Sequence, residues 1–190
     1  MLKPSFTDYS AKLNEALSAA DQGVIIKLCE RLLTLWKDGG QLFICGNGGS
    51  AGNAVHMAND FLYGIDRKSG KGLRAHALSS NISIVTCLAN DEGYDEIYAK
   101  QLAVYANPED VLIVLSGSGN SPNILKALEY ANVSNIENFA ILGYDGGIAN
   151  ETTQNAIHFP INDMQISEDL QTIVLHHTMQ WLTCHADEIS

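Results

Sequence analysis

Four side chains in this sequence could hold a metal ion or move a proton: His56 and Asp60, then Glu168 and His176. His56 and Asp60 stand four residues apart in a helix-forming segment, which puts imidazole and carboxylate on one face. Glu168 and His176 stand eight apart in a second helical segment, about 80° around its axis. Gln171 and His177 are their rivals on neighbouring faces. Two imidazoles and two carboxylates make a four-ligand set for zinc or a similar divalent ion. On spacing alone, the same residues equally describe the polar surfaces of two helices.

Two turns could bind an anion. The apolar run Leu42-Phe43-Ile44 leads into Cys45-Gly46-Asn47-Gly48-Gly49-Ser50, and a helix-forming segment opens at once. Such a turn lets backbone N–H groups approach an anion, with a helix N-terminus behind them. The second turn, Ser116-Gly117-Ser118-Gly119-Asn120-Ser121, offers three hydroxyls, a flexible backbone and another following helix. That combination suits a phosphate without any lysine. It is not a Walker loop, because no Gly-Lys-Ser/Thr follows, and neither turn is a GxGxxG fingerprint.

These groups need a scaffold that brings both turns to one edge. Periodicity predicts two helices between about Phe6 and Lys37, broken at Asp21-Gln22-Gly23 and ended by Gly39-Gly40. A strand near Gln41 to Cys45 follows, then a helix to about Tyr63 and a polar loop over 66–72. Leu73 to Leu78 reads as a second strand. Ser79-Ser80-Asn81 can cap a helix from Ile82 to Leu88, with a turn at Asn90-Asp91-Glu92-Gly93 and a further helix from Tyr94 to Ala106. Asp110 to Leu115 is a continuous β-branched and leucine run, as a strand covered on both faces requires. Ile124 to Asn132 reads as helix, 139–142 as strand, 143–147 as turn and 156–160 as a fifth strand. A helix from Ser167 closes the pattern. Strands alternating with helices predict a parallel, doubly wound sheet, whose ligands bind beyond the strand C-terminal ends.

Length and charge narrow the functions. At 190 residues the chain suits one domain. The net charge of −11 argues against a nucleic-acid binder and against docking on anionic lipid. No apolar run reaches the roughly 18 residues of a membrane helix. Met1-Leu2-Lys3-Pro4-Ser5 lacks a signal-peptide pattern, so a cytoplasmic location is expected. Cys29, Cys45, Cys87 and Cys184 have no CxxC spacing and are expected to be buried free thiols.

Taken together, Cys45-Gly46-Asn47-Gly48-Gly49-Ser50, His56, Asn90-Asp91, Ser116 to Ser121 and the Glu168…His176 spacing resemble the sedoheptulose 7-phosphate isomerases, also called phosphoheptose isomerases, of the SIS (sugar isomerase) superfamily. The resemblance covers nearly the whole chain. It implies a single SIS domain over 1–190: a flavodoxin-like three-layer α/β/α sandwich with a parallel five-stranded sheet from about 41, preceded by an N-terminal helical hairpin at about 6–38. It implies a cytoplasmic homotetramer acting on a sugar phosphate, with no nucleic-acid or membrane partner. The implied reaction converts D-sedoheptulose 7-phosphate to D-glycero-D-manno-heptose 7-phosphate through an enediol, an early step toward bacterial surface heptose.

By position, the resemblance puts Asn47, Gly48, Gly49, Ser50, Asp60, Asn90, Asp91 and Glu168 along the sugar, and Ser116, Gly117, Ser118 and Ser121 on the phosphate. His56, Asp60, Glu168 and His176 would hold one Zn2+ or another divalent ion per subunit, and Asp60 and His176 would act as base and acid. The family typically has Glu at Asp60, Gln at Glu168, and an Arg in the region that here reads Phe61-Leu62-Tyr63-Gly64-Ile65. Relatives that bind the replication initiator DnaA without catalysis, or that sense sugar phosphates, share the architecture. Retention of His56 and His176 favours the enzyme over the DnaA-binding relatives.

Overall fold

The computed structural model describes residues 5–189, so Met1 to Pro4, read above for a targeting signal, lie outside it. Helix α1 (Phe6–Ser18) starts at a capping box in which the Ser5 hydroxyl accepts from the Asp8 N–H and the Asp8 carboxylate accepts from the Ser5 N–H. Helix α2 (Gln22–Lys37) starts on Asp21, whose carboxylate accepts from the N–H groups of Gly23 and Val24. Asp21 therefore caps α2, and the break falls just before it. Strand β1 (Gln41–Gly46) runs into α3 (Gly49–Asn59), which a single π-helical turn, Asp60–Gly64, continues.

The rest alternates as the pattern predicts: β2 (Arg74–Ala77), α4 (Ile82–Asp91), a 3-10 turn at Tyr94–Glu96, α5 (Ala99–Tyr105), β3 (Val111–Ser116), α6 (Pro122–Val133), β4 (Glu137–Leu142), α7 (Gly147–Thr152), β5 (Asn155–His158) and α8 (Met164–Cys184). The helix expected from Tyr94 to Ala106 is a 3-10 turn at Tyr94–Glu96 followed by α5 from Ala99, and three further boundaries differ from the sequence expectation. Helix α4 extends through Asn90-Asp91, because the Glu92 and Gly93 N–H groups still find the Leu88 carbonyl. Helix α8 begins three residues before Ser167, because the Asp163 carboxylate accepts from the Ile166 N–H and caps it. Helix α7 replaces part of an expected turn; at six residues it is too short for periodicity to reveal.

The five strands form one parallel sheet in the order β2-β1-β3-β4-β5. Successive residues along β1, β3 and β4 point to opposite faces and feed two cores. Leu42, Ile44, Val111, Ile113, Phe139 and Ile141 pack under α1, α2, α3 and α8. Phe43, Leu112, Val114, Ala140 and Leu142 pack under α5, α6 and α7. The result is the expected three-layer sandwich. Cys29 and Cys45 are buried and free as expected, whereas Cys87 and Cys184 are free but exposed, each on the outer side of its helix. Burial pushes the Cys45 thiol up, so it stays protonated as a core side chain. Among the described residues no helix is long and apolar enough to cross a membrane.

The π turn has a local cause. The Phe61 carbonyl accepts from the Leu73 N–H at 3.0 Å, outside the helix ladder. The chain returning toward β2 passes so close that a Cβ on Gly72 would lie 1.6 Å from the Leu62 carbonyl oxygen. Gly72→Ala is therefore expected to destabilise by about 1–3 kcal/mol and to lower Tm by several degrees, about 2–4 °C per kcal/mol at this size. Gly52 on α3 has open space around its Cβ position. Gly52→Ala is expected to raise stability by about 0.5–1 kcal/mol, and thermal unfolding of the two variants side by side checks both signs.

Candidate active site

In this strand order the chain leaves β1 and β3, adjacent in the sheet, toward opposite sides. The crevice beyond their C-terminal ends is the ligand position of doubly wound sheets. The two turns found in the sequence meet there. The side chains of Asn47 and Asn123 bond reciprocally across the crevice, each Nδ2 donating to the other's Oδ1 at 2.8 Å. Tyr94 adds a hydroxyl donor to Asn47 Oδ1 at 3.1 Å. Beneath the first turn, the buried Tyr98 hydroxyl donates to the Gly46 carbonyl, and burial pushes its phenol up so that it remains a donor.

Between the turns lies a cavity of about 290 Å³, lined by Asn47, Gly48, Gly49 and Ser50, by Ser116, Gly117, Ser118 and Ser121, and by Met164 and Glu168 of α8. Helices α3 and α6 begin at its rim, at Gly48 and Ser121, and neither start carries a side-chain cap. Their positive dipole ends thus lie at the cavity rim. No Lys or Arg lines it. The second turn is braced from outside. Gly119, at φ +66°, packs so closely that an added Cβ would lie 1.9 Å from the Gly146 carbonyl oxygen. Its own carbonyl accepts from the Ala149 N–H at 2.9 Å, and Asn120 Oδ1 accepts from the Ile148 N–H at 3.1 Å.

A second group forms farther along α3 and α8. His56 Nε2 and His176 Nε2 are 2.9 Å apart, and Asp60 Oδ2 lies 3.8 Å from the first and 3.6 Å from the second. Among the described residues this is the one cluster of three or more side chains able to share a metal ion. The π turn begins at Asp60 and the His56 ring meets the His176 ring edge-on. Two nitrogens and a carboxylate oxygen are a zinc-type donor set, and their separations bracket the about 3.3 Å edge of a tetrahedron with 2.0–2.1 Å bonds. The residues present fit a divalent ion.

The helices that carry this group run in the same direction. Gly49 faces Glu168, Asn53 Nδ2 donates to the Glu168 carbonyl at 3.0 Å and to Gln171 Oε1 at 3.1 Å, and His56 faces His176. Matching contacts ascend both helices together.

Of the residues singled out in the sequence, Asn47, Gly48, Gly49, Ser50, Ser116, Gly117, Ser118, Ser121 and Glu168 share the cavity, and His56, Asp60 and His176 share the cluster. Three are placed otherwise. Glu168 does not join the expected four-ligand set: it sits two turns back on α8, with its carboxylate against Gly49. Asn90 and Asp91 lie on the exposed end of α4, bonded to each other at 2.7 Å and away from the cavity lining. His177 is exposed, and Gln171 is buried as the partner of Asn53. Asn53, Asn123 and Tyr94 escaped the sequence reading. An Asn in the middle of a helical segment, where its propensity is poor, was the available signal for Asn53.

A family model described as SIS domain matches residues 5–143. The phosphoheptose isomerase of Chlorobaculum tepidum is 39% identical over 153 residues, covering 80% of this chain and 73% of that protein. The phosphoheptose isomerase of Helicobacter pylori strain P12 is 34% identical over 176 residues, covering 93% and 91%. The solved phosphoheptose isomerase of Neisseria gonorrhoeae superposes with a TM-score of 0.85 at 26% identity, over 93% of this chain and 94% of that one. On the family match and these identities, the chain belongs to the phosphoheptose isomerase family of SIS-domain proteins.

Proposed function

We propose that this protein isomerises D-sedoheptulose 7-phosphate to D-glycero-D-manno-heptose 7-phosphate, supplying bacterial heptose biosynthesis. The observation that carries the reading is the pairing of a hydroxyl-lined, cation-free cavity with an imidazole–carboxylate cluster on the same two helices. Eight residues separate Glu168 from His176, about 12 Å of rise along α8. In this reading the sugar phosphate lies along the two helices, with its phosphate in the cavity and its carbonyl carbons toward the cluster.

In this reading Ser116, Ser118, Ser121 and the starts of α3 and α6 bind the phosphate, and Asn47, Gly48, Gly49 and Ser50 border the sugar. His56, Asp60 and His176 would hold the divalent ion, zinc by donor type, which when bound supplies Lewis-acid polarisation of a substrate oxygen. Asp60 and His176 are the groups placed to move protons. A carboxylate takes the proton from C1 of the ketose, the C1–H electron pair becomes the C1–C2 double bond, and the C2–O2 π pair moves onto O2 to give the enediolate. Returning a proton to C2 while the O1 proton moves to O2 gives the aldose, with no external oxidant or reductant. Asn90 and Asp91 enter this scheme only through rearrangement or a neighbouring subunit.

The same reading takes the hairpin and α/β core as one SIS domain working in the cytoplasm as a homotetramer. Val55, Leu62 and Tyr63 beside the cluster, and Ile82, Val104 and Tyr105 on α4 and α5, are exposed apolar side chains that an assembly would cover. Analytical ultracentrifugation should give four times the 20.6 kDa chain mass.

Incubating the protein with sedoheptulose 7-phosphate and zinc, and following products by NMR, should show the aldose phosphate. Asp60→Asn and His176→Ala should each lower kcat by about 10²–10⁴-fold with the fold intact by circular dichroism. His56→Ala should lose bound zinc by elemental analysis, and chelation of the wild type should abolish turnover until zinc is restored. A protein that binds the phosphosugar tightly but never converts it would instead be a sensor.

A further inference from the structure

Asn47 can meet a ligand with only one kind of group. Its side chain borders the cavity between the two turns. An amide carries one oxygen and one nitrogen, told apart by what each faces. Here a backbone donor settles the assignment. The Ile124 N–H, which cannot accept, donates to Asn123 Oδ1 at 3.1 Å and to the Ser121 carbonyl at 3.0 Å. With its Oδ1 so placed, Asn123 donates from Nδ2 to Asn47 Oδ1 at 2.8 Å, and Asn47 Nδ2 returns a bond to Asn123 Oδ1 at 2.8 Å. Turning both amides over would keep that pair but set Asn123 Nδ2 against the Ile124 N–H, donor against donor. Asn123 is only 1% exposed, so water cannot repair such a mismatch.

Tyr94 completes the arrangement. Its hydroxyl donates to Asn47 Oδ1 at 3.1 Å, so that oxygen takes two donors, the number its lone pairs allow. Of the two Nδ2 protons of Asn47, one is given to Asn123, and the other has no acceptor among the described residues. Both partners of Asn47 are anchored on α6. Asn123 lies in its first turn. Tyr94 opens the 3-10 turn Tyr94–Glu96, and Lys126 of α6 clamps that turn through Asp95 and Glu96 at 2.6 Å each. Tyr94 is 57% exposed, so the clamp and the hydroxyl bond, rather than core packing, hold it beside Asn47.

We infer that Tyr94 and Asn123 are positioning residues that fix Asn47 as a hydrogen-bond donor: an oxygen of the sugar phosphate accepts the remaining Nδ2 proton, and Asn47 Oδ1 takes no part in recognition. This rests on the reading of the cavity as the sugar-phosphate site. A hydroxyl, carbonyl or phosphate oxygen satisfies the amide. A group that can only donate, such as an ammonium at the same place, meets no acceptor on Asn47.

The test is titration of the full chain with sedoheptulose 7-phosphate, under a chelator so that nothing turns over, for the wild type, Y94F, N47A and the double variant, with each fold checked by circular dichroism. Y94F should weaken binding about threefold and N47A on the order of tenfold. The double variant should bind no more weakly than N47A, because Tyr94 acts only through Asn47. In 15N–1H spectra the side-chain amide pair missing from N47A belongs to Asn47, and the ligand should move one proton of that pair strongly and the other little. A Y94F effect that persists in full in the N47A background overturns the inference, since Tyr94 would then act on the ligand or the fold directly. So does a Y94F protein that binds as tightly as the wild type, or an Asn47 amide pair that the ligand leaves unmoved. If the natively folded wild type binds no sedoheptulose 7-phosphate, the reading of the cavity falls and this inference falls with it.

Discussion

One amide sets the register on which the chemistry depends. Asn53 lies on α3 between the glycine-rich turn and His56, and its Nδ2 donates to both the Glu168 carbonyl and the Gln171 side chain. A slip of one residue between α3 and α8 would turn His56 about 100° from His176 and break the cluster. Apolar packing alone would not forbid that slip, because Ala54, Met57, Leu170 and Val174 are buried hydrophobic side chains that tolerate sliding better than a directional amide does. The arrangement has a cost. Gln171 is buried with its Nε2 lacking a partner among the described residues, and an unsatisfied donor of this kind costs about 1–3 kcal/mol. A core chosen for stability alone would put an apolar residue there; the amide pair fixes the alignment of two helices instead.

Around that register the sheet imposes a second constraint. The order β2-β1-β3-β4-β5 places the turns after β1 and β3 side by side, and the reciprocal amides of Asn47 and Asn123 tie them together. The turn after β3 is then held from behind by the segment before α7, through backbone contacts at Gly119 and Gly146 that leave no room for a side chain. Hydroxyl and N–H donors are thereby fixed before any ligand arrives, which is what an anion site without lysine or arginine requires.

Much of this was legible in the residues. The five strands, the parallel sheet and the two glycine- and serine-rich turns follow from hydrophobic runs punctuated by turn formers, because a strand covered on both faces needs the continuous Val111 to Leu115 run. The pairing of His56 with Asp60 follows from helical spacing. What spacing could not give is where a flexible side chain points. Glu168 lies on a suitable face of α8 for the cluster, yet its carboxylate turns toward Gly49 at the start of α3. Nor could it reveal the π turn at Asp60–Gly64, which arises from the return of the chain past Gly72. Asn90 and Asp91 read as a turn because of their types, but the helix before them continues through both.

Helix α8 is the only source of His176, and it follows all five strands in the chain. A polypeptide emerging N-terminus first from the ribosome can thus pair its whole sheet and form the serine turn while His176, one of the two groups given the proton transfers in the proposed reaction, is still unmade. On the proposed roles, partially synthesised or C-terminally cleaved molecules would keep the paired turns yet be chemically inert, so turnover would report arrival of the closing helix rather than completion of the sheet.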